Sequence, residues 1–150
     1  RGKIITPLFY TYIDPNRLME VLTNLFDNAL KYTESGNITI GLGGTDTVIT
    51  LLIRDSGVGI PAESIDHLFQ KFYRVDNSAV RTIGGTGLGL YISKKIIDLY
   101  NGRIWVESEV GKGTTFYINL SRLSQQQADS LKTASDSQEQ ASTPVINPTT

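Results

Sequence analysis

The chain has 150 residues, 39% of them hydrophobic and 19% charged, which suffices for one packed domain of ordinary size. Its formal net charge of -1 offers no basic field of the kind that long phosphate backbones require, which argues against nucleic-acid binding. With no Cys and one His, disulfide stapling and Cys/His zinc sites are excluded, and a reducing compartment, the cytoplasm, is expected.

The apolar runs near 47–53 and 96–99 fall far short of the roughly 18 residues that span a bilayer, so no membrane contact is expected of this segment. It opens Arg1-Gly2-Lys3 without Met or a signal pattern and reads as part of a longer protein, which leaves a membrane-anchored parent possible.

In chain order, residues 8–13 read as a short strand. Asp14-Pro15 then supplies a helix cap and a first helical residue, and a helix is predicted over 15–32. Leu18, Val21, Leu22, Leu25 and Ala29 form its apolar stripe, and Ser35-Gly36-Asn37 ends it. Two β-branched stretches, 37–42 and 48–54, flank Gly43-Gly44-Thr45-Asp46 and predict an antiparallel hairpin. Residues 55–89 are glycine-rich and without a long periodic segment, so they are expected to be ligand-contacting loops. A second helix over 88–100 stops at Asn101-Gly102, and strands follow at 103–107 and 114–120. The predicted fold is an α/β two-layer sandwich: a mixed, mainly antiparallel sheet with helices on one face. One domain is expected over 1–123, and 124–150 is rich enough in Ser, Thr and Gln to be read as a disordered tail.

Three motifs carry chemistry. Asn24, Asn28 and Lys31 share one stripe of the first helix, expected roughly opposite the apolar one. They form either a solvated face or a site in which an amide oxygen meets Mg²⁺ and a Lys meets phosphates. Asp55-Ser56-Gly57-Val58-Gly59-Ile60 follows a strand; it is either a capped turn or a carboxylate acceptor for an exocyclic amine, with glycines that let a planar ring approach. Gly84-Gly85-Thr86-Gly87-Leu88-Gly89-Leu90 opens the second helix and is either a hinge or a phosphate cradle of backbone N–H groups. Between the last two lies Leu68-Phe69-Gln70-Lys71-Phe72-Tyr73-Arg74-Val75-Asp76, an aromatic pair with nearby cations. His67 beside it is expected to be structural.

Together with Gly111-Lys112-Gly113-Thr114-Thr115-Phe116, these motifs resemble the GHKL ATPase/kinase superfamily and, within it, the catalytic domain of sensor histidine kinases. The resemblance covers about residues 14–120: an N box at Asn24 to Thr33, glycine boxes at Asp55 to Gly59, Gly85 to Gly89 and Gly111 to Phe116, and an F box at Phe69 to Phe72. It implies a Bergerat-type sandwich that takes ATP and Mg²⁺. Asn28 would bind the metal, and Lys31 with the loop amides of Gly85, Thr86, Gly87, Leu88, Gly89 and Leu90 would bind phosphates. Asp55 would receive the adenine amine beside Gly57, Gly59 and Thr114, with Tyr32 and Ile60 lining the ring. Lys71 and Arg74 would be further phosphate contacts, and about 70–85 a flexible ATP lid. In related ATPases a Glu acts as general base where Asn24 stands here; an amide cannot take that proton, which favours phosphoryl transfer over hydrolysis. The partners implied are a helical dimerisation and phosphoacceptor domain of the same parent, carrying the histidine that this chain lacks, and a response regulator. A serine kinase of the anti-sigma type and a non-catalytic nucleotide-binding module are the alternatives.

Overall fold

Asp14 starts the first helix as its sequence suggests: Oδ1 accepts the backbone N–H groups of Asn16 at 2.7 Å and Arg17 at 3.4 Å. The computed structural model describes residues 8–75 and 85–141, and in it this helix, α1, spans Pro15–Tyr32 with Val21, Leu25 and Ala29 buried. Four strands follow the expected hairpin logic: β1 (Ile38–Gly44), β2 (Val48–Asp55), β3 (Arg103–Glu109) and β4 (Gly113–Ser121). They form one sheet in the order β1-β2-β4-β3, with each neighbouring pair antiparallel. α1 and α3 (Gly89–Leu99) pack side by side on one face.

Side-chain alternation then decides what meets what. Ile53, Phe116 and Val106 form one cross-strand row under the helices, joined in the core by Ile118, Ile104, Ile96 and Ile97. Two residues further along each strand, on the same face, the row becomes Asp55, Thr114 and Ser108. A polar row thus stands at the edge of the apolar core, next to the carboxyl end of α1. On the opposite face Tyr117 stacks on Trp105 with ring centroids 4.9 Å apart. Burial, and after it the Glu107 carboxylate, pushes the Tyr117 hydroxyl above its ordinary pKa.

Four expectations are corrected. Among the described residues, 8–13 contribute only the bridge Tyr10↔Leu123, and the sheet that the described residues form is antiparallel and not mixed. The stretch read as loops contains a one-turn helix, α2 (Ala62–Ile65). The tail read as disordered forms a helix, α4 (Gln125–Ala141), with residues 142–150 outside the described ones. Its start is a capping box that composition hides: Ser124 Oγ accepts the Gln127 N–H at 3.2 Å and Gln127 Oε1 accepts the Ser124 N–H at 2.9 Å. Last, the polar stripe of α1 adjoins the apolar one. Val21 and Asn28 are one heptad apart, a drift of only about 20° around the helix, and Asn24 and Asn28 are half-buried.

Candidate functional site

The polar row is fastened from several sides. Asp55, buried, uses one carboxylate oxygen for two backbone donors: Oδ1 accepts from Gly57 N at 2.9 Å and from Thr114 N at 3.2 Å. Its Oδ2 has no hydrogen-bond donor among the described residues. Ser108 Oγ donates to the Gly113 carbonyl at 2.8 Å and accepts the Ile60 N–H at 2.8 Å. With its one proton so used, it is the acceptor for the Thr114 hydroxyl 2.8 Å away.

The loop after Asp55 is pressed against its neighbours at two glycines. A side chain on Gly57 would sit 2.1 Å from the Tyr32 carbonyl oxygen. One on Gly59, whose φ is +74°, would sit 2.1 Å from that of Glu109. The Tyr32 carbonyl accepts the Val58 N–H at 3.1 Å, and Val58's own carbonyl accepts the Gly111 N–H at 2.8 Å. The first glycine loop is thereby clamped between the end of α1 and the β3–β4 turn.

A cleft of about 240 Å³ opens beside this row. Asn24, Asn28, Lys31 and Tyr32 line it from α1, and Asp55, Gly59, Ile60 and Thr114 from the strand ends and first loop. Gly85, Thr86, Gly87, Gly89 and Leu90 line it from the second glycine loop, and Arg74 lines it as well. Asn28 makes no side-chain hydrogen bond among the described residues, so its amide is available to a ligand. Asn24 is committed: its Nδ2 donates to the Gly89 carbonyl and to Ser93 Oγ, both at 3.3 Å, and ties α1 to the first turn of α3.

Three residues expected at the site do not line the cleft. Gly57 acts behind it, through Asp55. Leu88 is the N-cap of α3, its carbonyl accepting the Ile92 N–H at 2.9 Å. Lys71 faces away, with Nζ 5.2 Å from the Phe72 ring centroid and 6.0 Å from that of Tyr91. Of the expected lid, residues 76–84 lie outside the described ones. Sequence reasoning missed five lining residues, Asp27, Leu68, Tyr73, Val75 and Phe116. Asp27 lies beside Asn28 on α1, the aromatic motif already contained Leu68, Tyr73 and Val75, and the last glycine box ended on Phe116. Ser108, the hub of the polar row, carries no local signal.

A strand-end carboxylate row, an amide-bearing helix flank and a glycine loop opening a second helix thus share one cleft, and the family sequence profile described as "Histidine kinase-, DNA gyrase B-, and HSP90-like ATPase" matches residues 13–124. The chain belongs to this family. Within it the chain is an ATP-binding domain of the histidine kinase type. It is 39% identical over 121 residues to the sensor protein kinase WalK of Staphylococcus saprophyticus, an alignment covering 79% of this chain and 20% of that protein. The chain therefore spans about a fifth of such relatives. Among solved structures it is similar to the mycobacterial sensor histidine kinase MprB, with a TM-score of 0.69 and 28% identity over 76% of this chain and 78% of that one. It is also similar to full-length ShkA in complex with AMPPNP, with a TM-score of 0.68 and 26% identity over 79% of this chain and 24% of that one.

Proposed function

We propose that this domain binds Mg-ATP and passes the γ-phosphoryl group to a histidine on a separate helical dimerisation domain of its parent, from which a response regulator collects it. The observation that carries the nucleotide reading is Asp55. A buried carboxylate with Oδ1 saturated by two backbone donors and Oδ2 without a donor is an acceptor awaiting an N–H, and the adenine amine supplies one. Tyr32 and Ile60 flank that position as walls for the ring, and Gly59 keeps the backbone thin where the ring approaches.

The donor set also fits magnesium. Among the described residues there is no cluster of three or more His, Cys, Asp or Glu that could cage an ion by itself. Mg²⁺ usually takes one or two protein oxygens and fills its other positions with phosphate oxygens and water. Asn28, with its amide uncommitted in the cleft, is the residue that would hold it. When bound, the ion neutralises phosphate charge. Lys31 at the end of α1 and the N–H groups of the Gly85–Gly89 loop act on the same charge from the protein side.

Transfer is favoured over hydrolysis by what Asn24 does. Its amide nitrogen is spent holding Gly89 and Ser93, and the amide has no basicity with which to activate water. In the transfer the γ-phosphorus–oxygen bond breaks, a phosphorus–nitrogen bond forms on the acceptor imidazole, and ADP leaves. The imidazole proton departs to a base on the acceptor domain or to solvent. His67 is not that acceptor: it follows α2, with its ring 5.5 Å from that of Tyr73.

The test is transfer from γ-labelled ATP to a supplied helical domain bearing the histidine. Wild type is expected to label it, the chain alone to label nothing, and Asn28→Ala to lower transfer by about 100-fold, the scale of losing a transition-state charge contact. Full transfer by Asn28→Ala would remove the magnesium assignment.

A further inference from the structure

Phe72 is a residue whose conformation and exposure run against its chemistry. Its φ is +63°, in the left-handed region that a bulky side chain disfavours, and its apolar ring is 64% exposed. Neither choice serves core packing.

The backbone of Phe72 shows what the conformation secures. Its N–H donates to the Gly87 carbonyl at 3.0 Å. Gly87, at φ +71°, lies so close that a side chain there would sit 2.8 Å from the Phe72 carbonyl carbon and 2.9 Å from its Cα. These residues belong to different walls of the cleft: Tyr73, Arg74 and Val75 follow Phe72 directly on one, and Gly85, Thr86, Gly87 and Gly89 form the other. The Phe72–Gly87 contact is where the walls touch. Lys71 reinforces it, its ammonium lying near both the Phe72 ring and the Tyr91 ring of α3.

We propose that the Phe72–Gly87 backbone contact is the joint that sets the phosphate end of the cleft, with Phe72 as a positioning residue that touches no part of the nucleotide. The inference rests on the nucleotide reading above. A phosphate group gripped by the N–H groups of the glycine loop fixes Gly87, and Gly87 fixes Phe72 and the wall that follows it. Both partners sit in conformations that few residue pairs accept, so the joint has essentially one closed geometry. Its identity requirements are separable: position 87 must lack a side chain, and position 72 must donate an N–H at positive φ.

Two measurements on the 150-residue chain decide the matter. In the first, amide hydrogen exchange is followed with and without Mg-ATP; the Phe72 N–H is expected to slow at least tenfold on binding. In the second, Mg-ATP affinity is measured calorimetrically for three variants whose melting confirms folding. Gly87→Ala, which drives a side chain into the joint, and Phe72→Pro, which has neither the N–H nor access to positive φ, are each expected to lose at least tenfold. Phe72→Gly accepts the left-handed backbone and keeps the N–H, and is expected to bind at least tenfold more tightly than Phe72→Pro. An unchanged Phe72 exchange rate in wild type that demonstrably binds Mg-ATP overturns the joint, as does a Phe72→Pro variant that binds as wild type does. If Phe72→Pro does not fold, the exchange measurement decides alone. Wild type that binds no Mg-ATP overturns the nucleotide reading instead, and the two failures are thereby told apart.

Discussion

At the Asp55 end of the cleft the polar groups stand on paired strands, and the adjoining loop is wedged by Gly57 and Gly59 against backbone carbonyls. At the other end, residues 73–75 and the 85–89 loop meet at the Phe72–Gly87 contact, and α3 is tied back to α1 by one amide of Asn24. The two ends therefore couple binding to stability differently. Where ligand-binding groups are also structural acceptors, losing one costs both affinity and folding. Where they are loop amides at a joint, affinity can be lost while the fold remains.

The largest departure is expected at the Asp55 end. Asp55→Ala removes the acceptor for the ligand and leaves the Gly57 and Thr114 N–H groups without theirs. Nucleotide affinity should fall by about 100-fold, or about 2.7 kcal/mol, and unfolding free energy by roughly 1–3 kcal/mol for the stranded buried donors. Calorimetric titration and denaturant melts check the two losses. Affinity lost with an unchanged melt would break the comparison, because Asp55 would then be no more than a ligand contact.

Next is Gly113→Ala, which touches no ligand. Its φ is +114°, and an added Cβ would lie 2.0 Å from the Asp55 carbonyl oxygen. Backbone must move, and the expected cost is about 2 kcal/mol or more. Because the Gly113 carbonyl accepts from Ser108, the displaced turn also loosens the row that holds Thr114. Chemical denaturation should show the loss of stability, and the folded fraction should bind nucleotide more weakly in step. A destabilised variant with wild-type affinity would separate the row from the site.

Much of this was legible in the chain. Asp14-Pro15 and the apolar period placed α1 to the residue, because cap and stripe are local signals. The Gly43 to Asp46 turn placed β1 and β2 for the same reason. Asn28, Lys31, Asp55 and the glycine loop were visible as residue types suited to a nucleotide, and the structure brings them to one cleft. Ser108 was not visible, since only the β3–β4 register sets it beside Thr114, and Phe116, though part of the last glycine box, gains its place beside Val106 from the same register. Lys71, expected as a further phosphate contact, lies beside two aromatic rings and outside the cleft lining. Residues 8–13 had strand composition but, among the described residues, found a strand partner only at Leu123. In α4, the Ser124–Gln127 box outweighed a polar composition. The flank of α1 was misjudged because its polar stripe was expected roughly opposite the apolar one, whereas it adjoins it and Asn24 works against α3.

That misjudged flank supplies the smallest prediction and the sharpest contrast with Asp55. Ser93 is fully buried, and its hydroxyl accepts from Asn24 Nδ2. Ser93→Ala removes that acceptor without changing the shape of the α1–α3 contact much, and Asn24 Nδ2 keeps the Gly89 carbonyl as a second acceptor. A net hydrogen bond of this kind is worth about 1 kcal/mol, which for a chain of this size lowers the melting temperature by about 2–4 °C. Nucleotide affinity should change by less than about threefold, under 0.7 kcal/mol at about 1.36 kcal/mol per decade, because the bond to Gly89 that holds the loop survives. A drop in affinity as large as that of Asp55→Ala would mean that the α3 end is held as rigidly as the strand end, and that Ser93, through Asn24, positions the phosphates directly.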